Sequence, residues 1–246
     1  MYEGLIAETV TVTGRGGDEI GAYFARPLGA GPFPGVIVIH HAPGWDEASK
    51  EIARKFAYHG YMAISPNLYH RFGPELAPDD AAAAARAGGW VPTDQFLGDA
   101  GGALKYLRGL PISNGKVGTI GYCSGGRQSF LAACELPIDA AVDCYGARVM
   151  QDSPPDFPIP MEAVIGRAPK ISCPILGLFG VEDQNPSPEE VGQIGAELTR
   201  LGKEHEFHSF DDAGHGFFAV DRPSYRVAAA VEGWRLVFDF YGRHLQ

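Results

Sequence analysis

The chain has 246 residues, 45% of them hydrophobic and 20% charged, with 33 glycines and 19 prolines scattered without period. These are globular proportions that exclude a disordered, collagen-like or low-complexity polypeptide, and at this length one domain over residues 1–246 is expected to bury its core without staples. Thirty acidic against twenty basic residues give a net charge of -10 with no Lys/Arg stripe, which argues against nucleic acid as a partner.

The start, MYEGLIAETVTVTGRGG, has the acidic Glu3 and no basic stretch ahead of an apolar run, so it does not read as a signal peptide. Ile6–Thr13 and Glu19–Pro27 alternate in period two around a GRGGD turn and predict an antiparallel hairpin. From there, short apolar runs bounded by Gly or Pro alternate with helical patterns. The runs are Val36–Ile39, Tyr61–Ser65, Lys116–Cys123, Ala140–Tyr145 and Pro174–Gly180, each reading as a strand buried on both faces. Between them, Glu47–His59 has Ile52, Ala53, Phe56 and Ala57 on one helical face and stops at Gly60; another helix starts at Thr93. Ala81–Ala85 is a short alanine run on a helix, and the proline-rich Arg148–Lys170 reads as an inserted loop. Pro188–Leu201 carries Glu189 and Glu190 in its first turn and ends at Gly202, and Tyr225 to about Tyr241 forms the last helix. A hairpin followed by repeated strand–helix units predicts an α/β fold: a mostly parallel central sheet with helices on both faces. No apolar run approaches the roughly 20 residues of a membrane span, so a cytoplasmic protein is expected.

The chemistry concentrates at Gly121-Tyr122-Cys123-Ser124-Gly125-Gly126, between a strand pattern and a helical one. A G-x-Nuc-x-G sequence there forces its central residue into a strained turn above the sheet edge, at the positive end of the next helix. Cys123 is that residue; a frame centred on Ser124 puts Tyr122 where a glycine is needed. Such a thiol needs a base and a group to orient it. In this layout the acid follows the nucleophile and the histidine comes last, which selects Asp183 beyond ILGLFG, with Glu182 as its rival, and His215 in DDAGHGF. Backbone N–H groups of Ser124 and of Ala42, in the loop after Val36–Ile39, are the candidate oxyanion donors. His40 and His41 lack a third ligand at suitable spacing, so no metal is expected. Cys123, Cys134, Cys144 and Cys173 form no CxxC pair and read as free thiols. Gly14-Arg15-Gly16-Gly17 lies in a hairpin, so no nucleotide cofactor is expected either.

With GYCSGG, FGVEDQNPS, AGHGF and SPNLYHR in place, nearly the whole chain resembles the dienelactone hydrolases (carboxymethylenebutenolidases) of the α/β-hydrolase fold. The resemblance implies Cys123, Asp183 and His215 as the triad, Arg71 as a binder of a substrate carboxylate, and Trp90 and Tyr145 as pocket aromatics. The chain departs from the family pattern at His41, where a glutamate that helps activate the cysteine is usual, and at Ala219, where a second arginine is usual. His41 is therefore taken as an auxiliary to the thiol. The expected activity is hydrolysis of a small-molecule activated ester or lactone through a thioester on Cys123. The alternatives are a broad carboxylesterase or thioesterase, a non-catalytic ligand-binding member of the fold, and a redox-sensing thiol.

Overall fold

In a computed structural model of the protein, which describes residues 4–157 and 159–246, the described residues gather into two compact units, one of residues 4–119 with 245–246 and one of residues 120–157 with 159–244.

The first unit opens with the predicted hairpin. Strands β1 (Leu5–Thr13) and β2 (Glu19–Pro27) pair antiparallel from Leu5 opposite Pro27 to Thr13 opposite Glu19. Strands β3 (Phe33–Ile39) and β4 (Met62–Pro66) follow; β4 pairs antiparallel with β2 and parallel with β3. Every residue of β3 and β4 is buried, as an unbroken apolar run demands, and each buried aliphatic side chain contributes about 1.5–3 kcal/mol. Helix α1 (Glu47–Tyr58) is capped by Asp46, whose side chain accepts the Ser49 N–H at 3.0 Å. Its buried face is Ser49, Ala53, Phe56 and Ala57, and His59 closes it just ahead of Gly60 (φ 96°). Helix α2 (Pro78–Ala87) holds the alanine run, and α3 (Thr93–Gly109) buries Phe96, Leu104 and Leu107.

Strand β5 (Ser113–Tyr122) leads into the second unit, where α4 (Ser124–Glu135) is followed by β6 (Ala140–Cys144), β7 (Ile175–Gly180) and β8 (His205–Phe210). The last three pair parallel in that order, joined through α5 (Pro188–Arg200) and preceding α6 (Val227–His244). Ser187 caps α5 by accepting the Glu190 N–H at 3.2 Å. The proline-rich insertion ends in a 3-10 turn at Ile165–Lys170. The strand order β1-β2-β4-β3-β5-β6-β7-β8 makes a mixed, mostly parallel eight-stranded sheet. No described helix is long and apolar enough to cross a membrane.

Candidate active site

In the second unit β5 stops at Tyr122 and α4 starts at Ser124, leaving Cys123 alone at the bend with φ 58° and ψ −121°. A non-glycine residue there is strained, by about 1–3 kcal/mol, and persists only when its surroundings hold it. The surroundings do. The Cys123 N–H donates to the Cys144 carbonyl at 3.0 Å, and the Cys123 carbonyl accepts from Gly126 at 2.9 Å. The flanking glycines are obligatory on steric grounds. A Cβ on Gly121 would sit 1.8 Å from the Gly125 oxygen, and one on Gly126 would sit 2.4 Å from Asp143 Oδ1. Cys123 is half-buried, whereas Cys134, Cys144 and Cys173 are sealed. Burial pushes Cys134 and Cys173 up to about 12 and Cys144 well above its ordinary value, so those three thiols stay protonated. Ser124 is the first helical residue, so its N–H has no acceptor inside the helix and lies at the positive end of the dipole.

Asp183 lies on the turn after β7 and is 3% exposed. Its Oδ1 accepts the Asn185 N–H at 2.8 Å, and its Oδ2 lies 2.9 Å from His215 Nδ1. Glu182, the rival in sequence, points its side chain to solvent while its N–H bonds the Ala213 carbonyl. The His215 imidazole also hydrogen-bonds Cys123. Burial works against its charged form, yet the hydrogen bonds and charges of Asp183 and Cys123 outweigh it and raise His215 to about 10. Tyr145, just past β6, is 3% exposed and adopts φ 46°. Its ring meets the His215 ring edge-on at 5.1 Å and Phe217 at 5.2 Å, and its hydroxyl takes a hydrogen bond from the Phe218 backbone. One unit therefore brings together Cys123, Ser124, Asp183, His215 and Tyr145.

His41, Ala42, Arg71 and Trp90 belong to the first unit. His41 Nε2 lies 2.5 Å from Asp46 Oδ2, so Asp46 both caps α1 and holds this imidazole. Burial opposes the Asp46 charge, but the bonds from His41 and Ser49 hold its carboxyl down at about 2. His40 is buried and pushed down to about 4; its Nε2 accepts the Leu68 N–H at 3.2 Å, which makes it a neutral core histidine. Among the described residues no group of three or more His, Cys, Asp or Glu is arranged to hold a metal ion. The Ala42 carbonyl accepts from the Tyr69 hydroxyl at 2.9 Å, and Trp90 (φ 74°) is buried edge-on to Tyr69 at 5.4 Å.

Arg71 does not fit a carboxylate-binding role. Its guanidinium grips the fully buried Asp99 with both Nη atoms, at 2.7 and 3.0 Å, and its Nε donates to Asp18 at 2.7 Å. A fork already satisfied by two carboxylates has little left for a third. The residue is a structural clamp between the hairpin turn and α3. Sequence reasoning missed Asp99 and Asp46 as partners; Asp46 carried a visible signal, standing one residue before a helix pattern.

The sequence pattern of the dienelactone hydrolase family matches residues 20–245. A Methylorubrum extorquens protein provisionally named a carboxymethylenebutenolidase is 32% identical over 244 residues, covering 98% of this chain and 82% of that one. The carboxymethylenebutenolidase of Pseudomonas putida is 28% identical over 233 residues, 92% of each chain. A solved structure of a provisionally named dienelactone hydrolase from Klebsiella pneumoniae superposes with a TM-score of 0.86 at 28% identity, covering 98% of this chain and 100% of that one.

Proposed function

Because the chain belongs to the dienelactone hydrolase family, and so is a hydrolase of lactones or esters, we propose that it works through a thioester on Cys123 with His215 and Asp183 as its proton-handling pair. The observation that carries this reading is the strained, half-exposed Cys123 hydrogen-bonded to an imidazole that Asp183 holds from the other side.

With His215 raised to about 10, the proton rests on the imidazole at neutral pH and Cys123 is the thiolate of an ion pair. The sulfur attacks the substrate carbonyl, forming the C–S bond and moving the carbonyl π electrons onto oxygen. The Ser124 N–H, at the head of α4, donates to that oxyanion; one such donor is typically worth about 2.7–4 kcal/mol. Collapse breaks the ester C–O bond, the departing oxygen takes the His215 proton, and a thioester remains. His215, now neutral and fixed as one tautomer by Asp183, draws a proton from water as the water oxygen attacks. The second collapse breaks the C–S bond, releases the acid and leaves the Cys123 thiolate beside the proton already on His215. The Tyr145 ring packs edge-on against one side of the imidazole.

The nucleophile selects the substrate. A thiolate, with a parent pKa of about 8.5, leaves a tetrahedral intermediate more readily than an alkoxide or an unprotonated amine does. Enol lactones and aryl esters therefore suit Cys123, and amides do not. A broader esterase or thioesterase reading is favoured by one specific observation, the engagement of Arg71 with Asp99 and Asp18, which removes the expected anchor for a carboxylate. A screen of lactones and aryl esters with and without a carboxylate separates the two. Burst release of p-nitrophenol from p-nitrophenyl acetate, one equivalent per Cys123, tests the thioester. Cys123→Ser is expected to lower turnover on activated esters by about 100-fold or more; an unchanged rate removes the thiol from the mechanism.

A further inference from the structure

Beyond Cys144 the chain forms a short strap, residues 145–150, with two non-glycine residues in the left-handed region, Tyr145 (φ 46°) and Arg148 (φ 62°). Two strained residues in four need external support. Both supports are buried carboxyls. At the near end Asp143, 2% exposed on β6, accepts the Gly146 N–H on Oδ1 at 2.8 Å. The same oxygen fits against two bare backbones, since a Cβ on Gly126 or on Gly146 would come within 2.4 Å of it. At the far end Glu190, 6% exposed in the first turn of α5, accepts the N–H groups of Val149 at 3.1 Å and Met150 at 3.4 Å on Oε1. What the strap carries between these pins is Tyr145, whose ring lies on the His215 imidazole.

We propose that Asp143 and Glu190 are positioning residues for the reaction: by pinning both ends of the strap they seat the Tyr145 ring against His215. This rests on the roles proposed above for Cys123 and His215.

The pair is sensitive to pH because its two carboxyls are neighbours. Glu190, from α5, is the acidic group that faces Asp143. On α4, Arg127 turns its guanidinium away to the carbonyls of Arg148 and Glu162. β7 carries no ionisable residue, and Leu236, Val237, Phe240 and Tyr241 on the buried face of α6 add no charge at neutral pH. On β6 itself Cys144 stays protonated. Burial, opposed by the Gly146 N–H and reinforced by Glu190, raises Asp143 to about 7. Burial and Glu190 favour the neutral carboxyl over the pull of the Gly146 N–H, so ionising Asp143 sets its charge against Glu190 across the strap and loosens it.

The test follows two rates from about pH 5.5 to about pH 9: kcat for p-nitrophenyl acetate and alkylation of Cys123 by iodoacetamide. The wild-type protein is expected to show a step centred near pH 7 in both, with KM little changed. Asp143→Asn stays neutral at every pH and still offers Gly146 an oxygen, so it lacks the step. Its rate relative to wild type rises by about threefold or more across the range. Glu190→Gln keeps the acceptor and removes the like charge, so the step moves to lower pH. Profiles of Asp143→Asn and wild type that superimpose overturn the proposal. If Asp143→Asn does not fold, Glu190→Gln decides alone: a downward shift supports the proposal and an unmoved step overturns it. If no variant turns over the ester, the hydrolytic reading fails, while the alkylation profile still decides whether the carboxyl pair seats the imidazole.

Discussion

At the scale of single residues, the site is a contest between burial and hydrogen bonding that ends differently at each group. Burial alone would strip His215 of its proton; Asp183 and Cys123 reverse that and raise it to about 10. Because this pKa is raised above the unfolded value near 6.5, its contribution to stability is complete below that value and is lost as pH climbs toward about 10. His215→Ala is expected to slow iodoacetamide labelling of Cys123 at pH 7 by about tenfold or more, since an isolated thiol is only a few per cent ionised there; equal labelling rates disprove the ion pair. At Asp143 burial wins instead. Its carboxyl is raised from 3.8 to about 7, so the native state loses stability relative to the unfolded chain as pH rises between those values. Asp143→Asn should therefore raise Tm more at pH 7.5 than at pH 4, as read by thermal melts at the two pH values. That Cys123, Asp183 and His215 come together was legible in the sequence because glycine spacing and chain order constrain them. Asp143 was not, because nothing in AAVDCY distinguishes a buried carboxyl from one at a strand end.

Among elements, periodicity carried most of what was read correctly. The hairpin keeps the expected pairing from Ile6 to Pro27, and the helix starts at Glu47, Thr93 and Pro188 are those that caps and first-turn acids indicate. Ends were less legible. Strand β5 begins earlier than its apolar run, at Ser113 rather than Lys116, and the last helix starts at Val227 rather than Tyr225. Partners across elements were not legible at all. Arg71 read as a binder of a substrate carboxylate because Asp99, 28 residues further along the chain, is hidden on the buried face of α3. Arg71→Ala leaves that carboxylate buried with no cation and only the Arg15 N–H beside it, at a cost of about 3–5 kcal/mol. Chemical denaturation should register that loss, while the KM ratio between carboxylate-bearing and uncharged esters stays as in wild type. A selective rise in KM for the charged esters would restore Arg71 to the substrate site.

For the whole molecule, the dominant electrostatic fact is the net charge of -10. Such a field repels anionic substrates during encounter, and salt screens it over a Debye length of about 8 Å at physiological ionic strength. Added salt is therefore expected to raise kcat/KM for esters bearing a carboxylate and to leave neutral aryl esters nearly unaffected; an equal response of both classes removes long-range charge from substrate choice. The distribution of the cysteines has a practical corollary. With three of four sulfurs sealed in apolar surroundings, the native protein offers bioconjugation a single handle. A maleimide fluorophore should add one dye to the folded chain and four after denaturation, giving a mass-spectrometric gauge of integrity and an occupancy sensor at the bend, with no engineered residue required.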